Sequence, residues 1–463
     1  MATGTENSGP LVRSKVGLCR DLIAIAWPLM LNNLFNIGIN AADTVMAGRL
    51  GANQLAAVAL GSSIWITLFL AGLGVIMAVG PSVAQLYGAQ KLDQIGETVR
   101  QGFYLGLLVA TMVIIAMHCM GPLMLAANIE PHVVVLAEGY LSAMSWGVIG
   151  CYWYHCLRQM NEGLGRTIPI MLVMGTSLPI NISLNYVFMY GAFGFPSLGA
   201  VGAGLGSGIT FWLMFIFIAI YTRRAVFYRA FALWHRLSRP QLEKMVALIK
   251  IGLPIGLSFM LQAGLFTAVA LIMGSLGTDV VAAHAVTLNF ASIVFMLPLG
   301  IGMAATSLVG RAIGAGNPQL AKHYGVAAFS MAFVMMIFSA AITITLASPI
   351  ASLYTEDLAV INLAAALLVV AAFLQIGDGT QAAVSGALRG LKDTTVPMVF
   401  NALVYWGIGF TVAYYLAVHR QYGGIGVWIG LAVCIWVAAV FLIWRFRRVV
   451  SKHIALSASL KSA

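Results

Sequence analysis

Charged residues are scarce in this chain of 463 residues: Asp, Glu, Lys and Arg together make up 8% of it, against 61% hydrophobic residues. A soluble domain of this size needs far more charge to cover its surface, so the composition excludes a water-soluble protein. The chain also lacks the alternating ten-residue segments of outer-membrane barrel strands, because its apolar runs are continuous. The sequence therefore predicts an all-α membrane protein.

Cysteine is rare as well, with five scattered residues and no CxxC spacing. An odd number of cysteines without a pattern argues against a disulfide framework, and we expect no metal site. The sequence contains no GxxxxGK[ST] phosphate loop and no Ser/His/Asp or HExxH constellation. We therefore expect neither an enzyme nor an ATP-driven motor in this chain, and transport would depend on an ion gradient or run downhill.

Long apolar runs are abundant. A helix needs about 20 apolar residues to cross roughly 30 Å of hydrocarbon, and twelve runs meet this requirement. The predicted spans are 20–48, 55–80, 101–125, 133–157, 168–190, 198–221, 247–273, 281–306, 325–349, 359–388, 396–418 and 424–444. The first run is too long for a signal-peptide core and has no cleavage pattern after it, so we interpret it as a retained span.

Basic residues lie almost entirely on one side of the predicted membrane. Of the 25 Lys and Arg residues, only Arg49 and Arg420 fall in segments on the other side. This positive-inside distribution predicts that both termini are cytoplasmic. The net charge of +11 is thus explained by topology and by attraction to anionic lipid, and nucleic acid is not an expected partner.

The two halves of the chain resemble each other. A shift of 226 residues places the segment from Trp27 onto the segment from Leu253 without a gap, and Pro28 then meets Pro254. Six helices in each unit is an even number, so the two six-helix lobes form a parallel repeat about an axis along the membrane normal. The predicted organisation is an N-terminal tail (1–19), an N-lobe (20–221), a linker (222–246), a C-lobe (247–445) and a C-terminal tail (446–463).

Two acids, Asp43 and Asp378, lie deepest in the predicted spans. A charge at a helix centre costs on the order of 2.5–3.5 kcal/mol on insertion scales, so such acids commonly mark ion or proton paths. Asn36 and Asn40 lie two turns and one turn before Asp43 on nearly the same helix face. The alternative for Asp43 is a structural role, as a helix cap or in an ion pair with Arg49.

Other polar and helix-bending residues have two interpretations each. Asn181 and Asn185, four residues apart, either line a cavity or form interhelical hydrogen bonds. Pro28 and Pro254 are predicted to bend the first helix of each half, as a static kink or as a hinge. His284 is interpreted as a structural histidine with its hydrogen bonds satisfied.

Three segments carry a family resemblance: "AADTVMAGRLGANQLAAVALGSSIW", "VVAAHAVTLNFASIVFMLPLGIGMAATSLVGRAIGAGN" and "GALRGLKDTTVPM". They resemble the multidrug and toxic-compound extrusion (MATE) family, in particular its bacterial NorM-type branch, and the likeness extends from about Leu22 to Arg445. The resemblance implies two lobes in a V shape in the bacterial inner membrane. It also implies export of small-molecule drugs and toxic organic cations in exchange for H⁺ or Na⁺. We expect a monomer in contact with membrane lipids and no cofactor besides the coupling ion.

The resemblance also implies roles for particular residues. The family's first-helix acid matches Asp43 and its tenth-helix acid matches Asp378, as ion-coupling groups. The family's fifth-helix asparagines match Asn181 and Asn185, which would form an N-lobe polar site with Asp43.

The C-lobe departs from the family pattern at two positions. A seventh-helix glutamate of Na⁺-coupled relatives falls on Gln262, and an aromatic residue of the tenth helix falls on Leu374. A sodium site favours several anionic oxygens, so we expect H⁺ coupling, with Na⁺ and a Gln262 carbonyl ligand as the alternative. A flippase for a lipid-linked substrate is the rival function. It would favour a basic cleft, which these apolar spans do not offer.

Overall fold

The computed structural model describes residues 14–234 and 238–462. Part of the predicted N-terminal tail, including Arg13, lies outside these residues, as do Arg236 of the predicted linker and the last residue. Within the described ranges all regular structure is helical, which confirms the all-α prediction.

The N-terminal half consists of nine α-helices and two short 3₁₀ segments. The helices are α1 (Lys15–Gly48), α2 (Ala52–Met77), α3 (Val79–Gly88), α4 (Leu92–His118), α5 (Met120–Ala126), α6 (Pro131–Ser145), α7 (Val148–Gly163), α8 (Ile168–Tyr190) and α9 (Ala200–Arg224). The 3₁₀ segments are Ala192–Gly194 and Val226–Phe231.

The C-terminal half repeats this plan. Its helices are α10 (Leu242–Ser275), α11 (Thr278–Gly314), α12 (Pro318–Thr345), α13 (Ala347–Ser352), α14 (Leu358–Gly390), α15 (Thr395–Ala402), α16 (Thr411–Tyr414) and α17 (Gly423–Ser462). Two π-helical stretches, Leu403–Phe410 and Tyr415–His419, join α15 and α16 into one span.

Eleven helices of the described chain are long and apolar enough to cross a membrane, and a bent pair brings the number to twelve if it counts as one span. The bent pair is α6 and α7, which meet at 51°. It corresponds to the predicted straight span 133–157. The break lies at Gly147, where a Cβ atom would come within 2.4 Å of the Gly208 Cα atom of α9. Close packing of backbone on backbone therefore accompanies a change of direction that hydropathy does not encode.

Several helices extend well beyond the predicted spans. The last helix, α17, continues for 17 residues past Arg445, through the described part of the predicted C-terminal tail. A helix does not have to end where the hydrocarbon ends, because its backbone hydrogen bonds are internal and its polar residues can contact water.

The first helix of each half packs into the core of the other half. Residues Leu18, Leu22 and Leu29 of α1 lie in a buried cluster whose other members come mainly from the C-terminal half. Leu248 of α10 correspondingly lies in the core cluster of the N-terminal half. The structure thus exchanges the starts of two repeat-equivalent helices between the lobes.

The two prolines lie where these exchanged helices cross the interface. Pro28 is buried inside α1, and Pro254 is buried inside α10. Both helices continue through their proline, so bending at these positions stays a prediction. The predicted lobe boundaries also stay predictions.

Hydrogen bonds join the two halves at the end of the bundle where α1 begins. Gln85 Nε2 donates to the Gly390 carbonyl at 2.9 Å, and Ser307 Oγ donates to the Gly163 carbonyl at 3.1 Å. Arg311 donates from its guanidinium to the Leu164 carbonyl. The ends of α3, α7, α11 and α14 therefore hold the lobes together on this side.

Candidate ion-coupling sites

A buried polar cluster surrounds Asp43 in the N-terminal half. Asn185 Nδ2 donates a hydrogen bond to Asp43 Oδ1 at 2.5 Å and a second one to Asn181 Oδ1 at 3.2 Å. Asn181 Nδ2 in turn lies 3.4 Å from Thr210 Oγ1. Asp43 is 8% exposed, and the other three side chains are at most 2% exposed. A continuous row of hydrogen bonds therefore runs from the carboxylate of α1 across α8 to α9.

Helix geometry explains why these side chains meet. Asn181 and Asn185 are one turn apart on α8, so both face α1 and α9. On α9, a Cβ atom at Gly206 would lie 2.3 Å from Asn185 Oδ1, so a glycine is needed where the amide approaches. Sequence reasoning did not identify Thr210, although its four-residue spacing from Gly206 offered a signal.

Asp43 does not act as the cap or ion-pair partner considered above. Its carboxylate accepts a hydrogen bond from Asn185, and among the salt bridges of the described residues none joins it to Arg49. Asn36 and Asn40, by contrast, are exposed on α1 and lie outside the cluster. The shared helix face therefore does not bring these two asparagines into contact with the carboxylate, and a cavity-lining role for them stays a prediction.

A second site surrounds Asp378 in the C-terminal half. A cavity that admits the centres of water molecules over about 80 Å³ is bounded by Asp378 of α14, Gln262 of α10 and Tyr405 of the π-helical stretch. Gln381, one turn after Asp378, donates a hydrogen bond to the Tyr405 hydroxyl. A cavity holds one water molecule in roughly 10–15 Å³ of such volume, so this one has room for several.

Unpaired polar atoms line this cavity. Within the described chain, Gln381 Oε1, Arg389 Nε and Asn401 Oδ1 are buried without a hydrogen-bond partner. Buried polar atoms are nearly always satisfied by protein or by water. The cavity therefore has the polarity of a hydrated chamber, which suits an intramembrane carboxylate.

The two departures from the family pattern have different surroundings. Gln262 borders the same cavity as Asp378, so its amide oxygen can reach a shared ion. Leu374 is 3% exposed and belongs to an apolar core cluster of the C-terminal half. It therefore offers no ligand. No group of three His, Cys, Asp or Glu residues is arranged to hold a metal ion in the ranges that the structure describes.

His284 differs from the prediction of a satisfied structural histidine. It is 3% exposed and packs against Trp428 with ring centroids 5.7 Å apart. Neither ring nitrogen has a hydrogen-bond partner in the described part of the chain. That prediction was wrong, because the surrounding α17 face is apolar.

A charged pair that sequence reasoning assigned to an inner segment is buried at the junction of the lobes. Arg158 Nε lies 2.7 Å from Glu162 Oε1 on α7, and both side chains are less than one-tenth exposed. Arg389 of α14 borders the same small cavity as Glu162. The sequence places these residues at helix ends, where charges are ordinarily exposed, and only the packing of the two halves buries them.

Comparison with known proteins gives concordant results. The MatE family model matches residues 28–187 and 254–415. The chain is 37% identical over 438 residues to the multidrug resistance protein MdtK of Pectobacterium atrosepticum, covering 92% of this chain and 95% of that one. It is 36% identical to the multidrug resistance protein PmpM of Pseudomonas aeruginosa, covering 93% and 91%. Its fold is similar to that of the Vibrio cholerae MATE transporter VcmN in the bent form, with a TM-score of 0.85, 19% identity and coverage of 95% and 98%.

Proposed function

This chain belongs to the MatE family of membrane transporters, and we propose that it exports organic, mostly cationic amphipathic compounds in exchange for H⁺. Two printed names of relatives, multidrug resistance proteins MdtK and PmpM, support the drug-export part of this proposal. The observation that carries the coupling part is the buried carboxylate of Asp43, hydrogen-bonded at 2.5 Å to Asn185.

The hydrogen-bond row next to Asp43 can accommodate a proton. In the arrangement described, Asn185 donates to the carboxylate, and its own Oδ1 is buried without a partner in the described chain. An amide presents an oxygen or an NH₂ group according to its rotamer. Rotation of Asn185 and Asn181 would reverse the row, so that protonated Asp43 donates to Asn185 and Thr210 donates to Asn181. The same side chains can therefore satisfy both protonation states.

Proton binding at Asp43 then weakens the hold on a cationic drug. An ionised carboxylate in an environment of low dielectric constant attracts a nearby cation strongly, whereas its neutral form does not. The lobes are joined at the end where α1 begins, so the described arrangement supports access from the opposite end. With both termini cytoplasmic, as the basic residues predict, that side is the periplasm. The drug leaves there as the proton arrives.

Asp378 and the hydrated cavity form the second ion-coupling site. Its carboxylate, the Gln262 amide and the Tyr405 hydroxyl offer one anionic and two neutral groups. This set favours a proton over Na⁺, because a sodium site prefers more anionic oxygens. No cofactor besides the coupling ion is needed, and we propose a monomer in the inner membrane of a bacterium.

The test uses purified protein in proteoliposomes with the H⁺ and Na⁺ gradients imposed separately. We expect drug uptake or release to follow the H⁺ gradient, and drug addition to release protons. In Asp43→Asn we expect drug-driven proton release to fall to the level of empty liposomes.

Asp279→Asn is the matched control, because this exposed acid lies at the start of α11, away from both sites. It should retain the activity of the unaltered protein. Full antiport by Asp43→Asn would refute the role of Asp43, and transport that follows only the Na⁺ gradient would refute H⁺ coupling.

A further inference from the structure

Three exposed arginines surround a groove at the end of α9. The groove is bounded by Ile220, Arg223, Arg224 and Arg229 and measures about 440 Å³. This volume lies in the range of ligand-binding pockets, roughly 300–1,000 Å³. Neither the transport sites nor the contacts between the lobes involve these residues.

The groove is held in a fixed shape by the buried face of the 3₁₀ segment Val226–Phe231. Tyr228 and Phe231 are at most 3% exposed, and the Tyr228 hydroxyl donates to Asn161 Oδ1. A Cβ atom at Gly96 would lie 2.0 Å from the Phe231 carbonyl oxygen, so α4 contacts this segment directly. The position of Arg229 relative to α9 is therefore fixed by packing and does not depend on a free loop.

The residues that follow are fixed as well. The Arg100 guanidinium donates to the carbonyls of Ala232 and Leu233 at 2.9 and 3.2 Å. A binding groove that is already ordered loses less conformational entropy when a ligand enters.

The three guanidinium groups have no counter-charge from the protein. In residues 14–234 and 238–462, Glu97, Glu162 and Asp393 are the acids of the salt bridges, and their partners lie elsewhere. Arginine matches the geometry of phosphate oxygens and binds them in pairs of hydrogen bonds. Three converging arginines therefore form a site for a phosphate group.

Exposed apolar side chains continue from the groove along α9. Phe217, Ile220 and Tyr221 are 36–45% exposed. They precede Arg224 at intervals of three to seven residues and so share its helix face. Because α9 is a membrane span that ends at Arg224, this face places apolar surface in the hydrocarbon and the arginines at the headgroups.

We propose that the groove formed by Arg223, Arg224 and Arg229 binds the phosphate of an anionic phospholipid, with its acyl chains along Phe217 and Ile220. The lipid belongs to the leaflet on the side of the linker. A free phosphate ion would leave the apolar face of α9 unused.

The test measures phosphatidylglycerol binding to the full-length protein in detergent by native mass spectrometry. Replacement of the three arginines by glutamine is expected to weaken binding on the order of 100-fold, since each basic residue near an anionic lipid surface contributes several-fold. The matched control replaces Arg447, Arg448 and Lys452 by glutamine. It removes the same charge from exposed positions of α17 and should bind as the unaltered protein does.

Each further arm separates an alternative. Equal weakening in the control variant would indicate general surface charge and overturn the site. Equal affinity for phosphatidylcholine, or displacement of the lipid by inorganic phosphate at the same concentration, would overturn the assignment to an anionic lipid. If the triple variant does not fold, Arg229→Gln alone should weaken binding about 5-fold, and unchanged binding would refute the proposal.

Discussion

A single methyl group at the crossing of α2 and α10 should disturb the contact between the lobes. A Cβ atom on Gly74 would lie 2.1 Å from the Gly256 Cα atom, about 1.3 Å short of the 3.4 Å at which ordinary contact begins. The obstacle is backbone on both helices, so Gly74→Ala can be accommodated only if α2 and α10 move apart.

The internal repeat supplies a matched control for this change. Gly300 of α11 is the repeat equivalent of Gly74, and it packs against α1. A Cβ atom there would lie 2.7 Å from Met30 Cγ and 3.2 Å from the Ala26 carbonyl oxygen. The flexible thioether side chain of Met30 can move aside, and the contact with the carbonyl requires a shift of only a few tenths of an ångström.

Overpacking of this kind costs about 1–3 kcal/mol. Only the state in which the lobes meet at this end carries the cost, so Gly74→Ala should shift the equilibrium toward the state opened here by about 5-fold to 150-fold. Gly300→Ala should shift it far less.

The assay is pulsed electron paramagnetic resonance with spin labels at Lys91 and Gln319, which are exposed in opposite halves near the joined ends. The exposed Cys119 is first replaced by serine so that only these two positions react. In Gly74→Ala a longer-distance population should grow, whereas the distribution of Gly300→Ala should match that of the parent. Equal shifts in the two variants, or no shift in Gly74→Ala, would refute the argument from backbone contact.

Two further predictions concern charge inside the bundle. Gln262→Glu adds an anionic oxygen to the cavity of Asp378 and should tighten Na⁺ binding on the order of tenfold, measured as drug efflux driven by a Na⁺ gradient alone; unchanged ion dependence would contradict a shared site. Arg158→Met leaves Glu162 buried without its partner and should lower the free energy of unfolding by about 3–5 kcal/mol. The double variant with Glu162→Met should recover most of that loss, and equal unfolding midpoints for the single and double variants in detergent would contradict it.

The number and type of the spans could be predicted from the sequence because the hydrocarbon core imposes a minimum apolar length. The repeat, read from Pro28 and Pro254, added the two-lobed arrangement. The bend between α6 and α7 could not be predicted in this way, since both arms are apolar and only the approach of Gly147 to Gly208 sets their angle.

The candidate sites were predictable where a single helix carries the signal. The cost of a carboxylate in hydrocarbon identifies Asp43 and Asp378, and the one-turn spacing identifies Asn181 and Asn185. Thr210 was not identified, because its role exists only where α9 packs against α8.

Two other residues show the same limit of sequence reasoning. Asn36 lies on nearly the same helix face as Asp43, yet it is exposed while the aspartate is buried. Tyr405 borders the Asp378 cavity from a π-helical stretch whose geometry the sequence does not reveal. Contacts between helices, and departures from the α-helical period, are therefore what sequence reasoning could not supply.

The exchange of helix starts gives the proposed mechanism a physical connection between each ion site and the lobe interface. Asp43 is 15 residues from Pro28 on α1, about 22 Å along the helix, and beyond Pro28 the helix lies in the core of the opposite half. Gln262 reaches the Asp378 cavity from α10, whose start lies in the core of the N-terminal half.

Each site is therefore contacted by a helix that is anchored in the other lobe. A ligand shifts an equilibrium only by its difference in affinity for the two states. A proton that changes the hydrogen bonds between α1 and α8 acts on a helix that cannot move with its own lobe alone. Movement of the lobes must then alter the packing of α1 at Asp43, so site and interface are energetically linked without any further element between them.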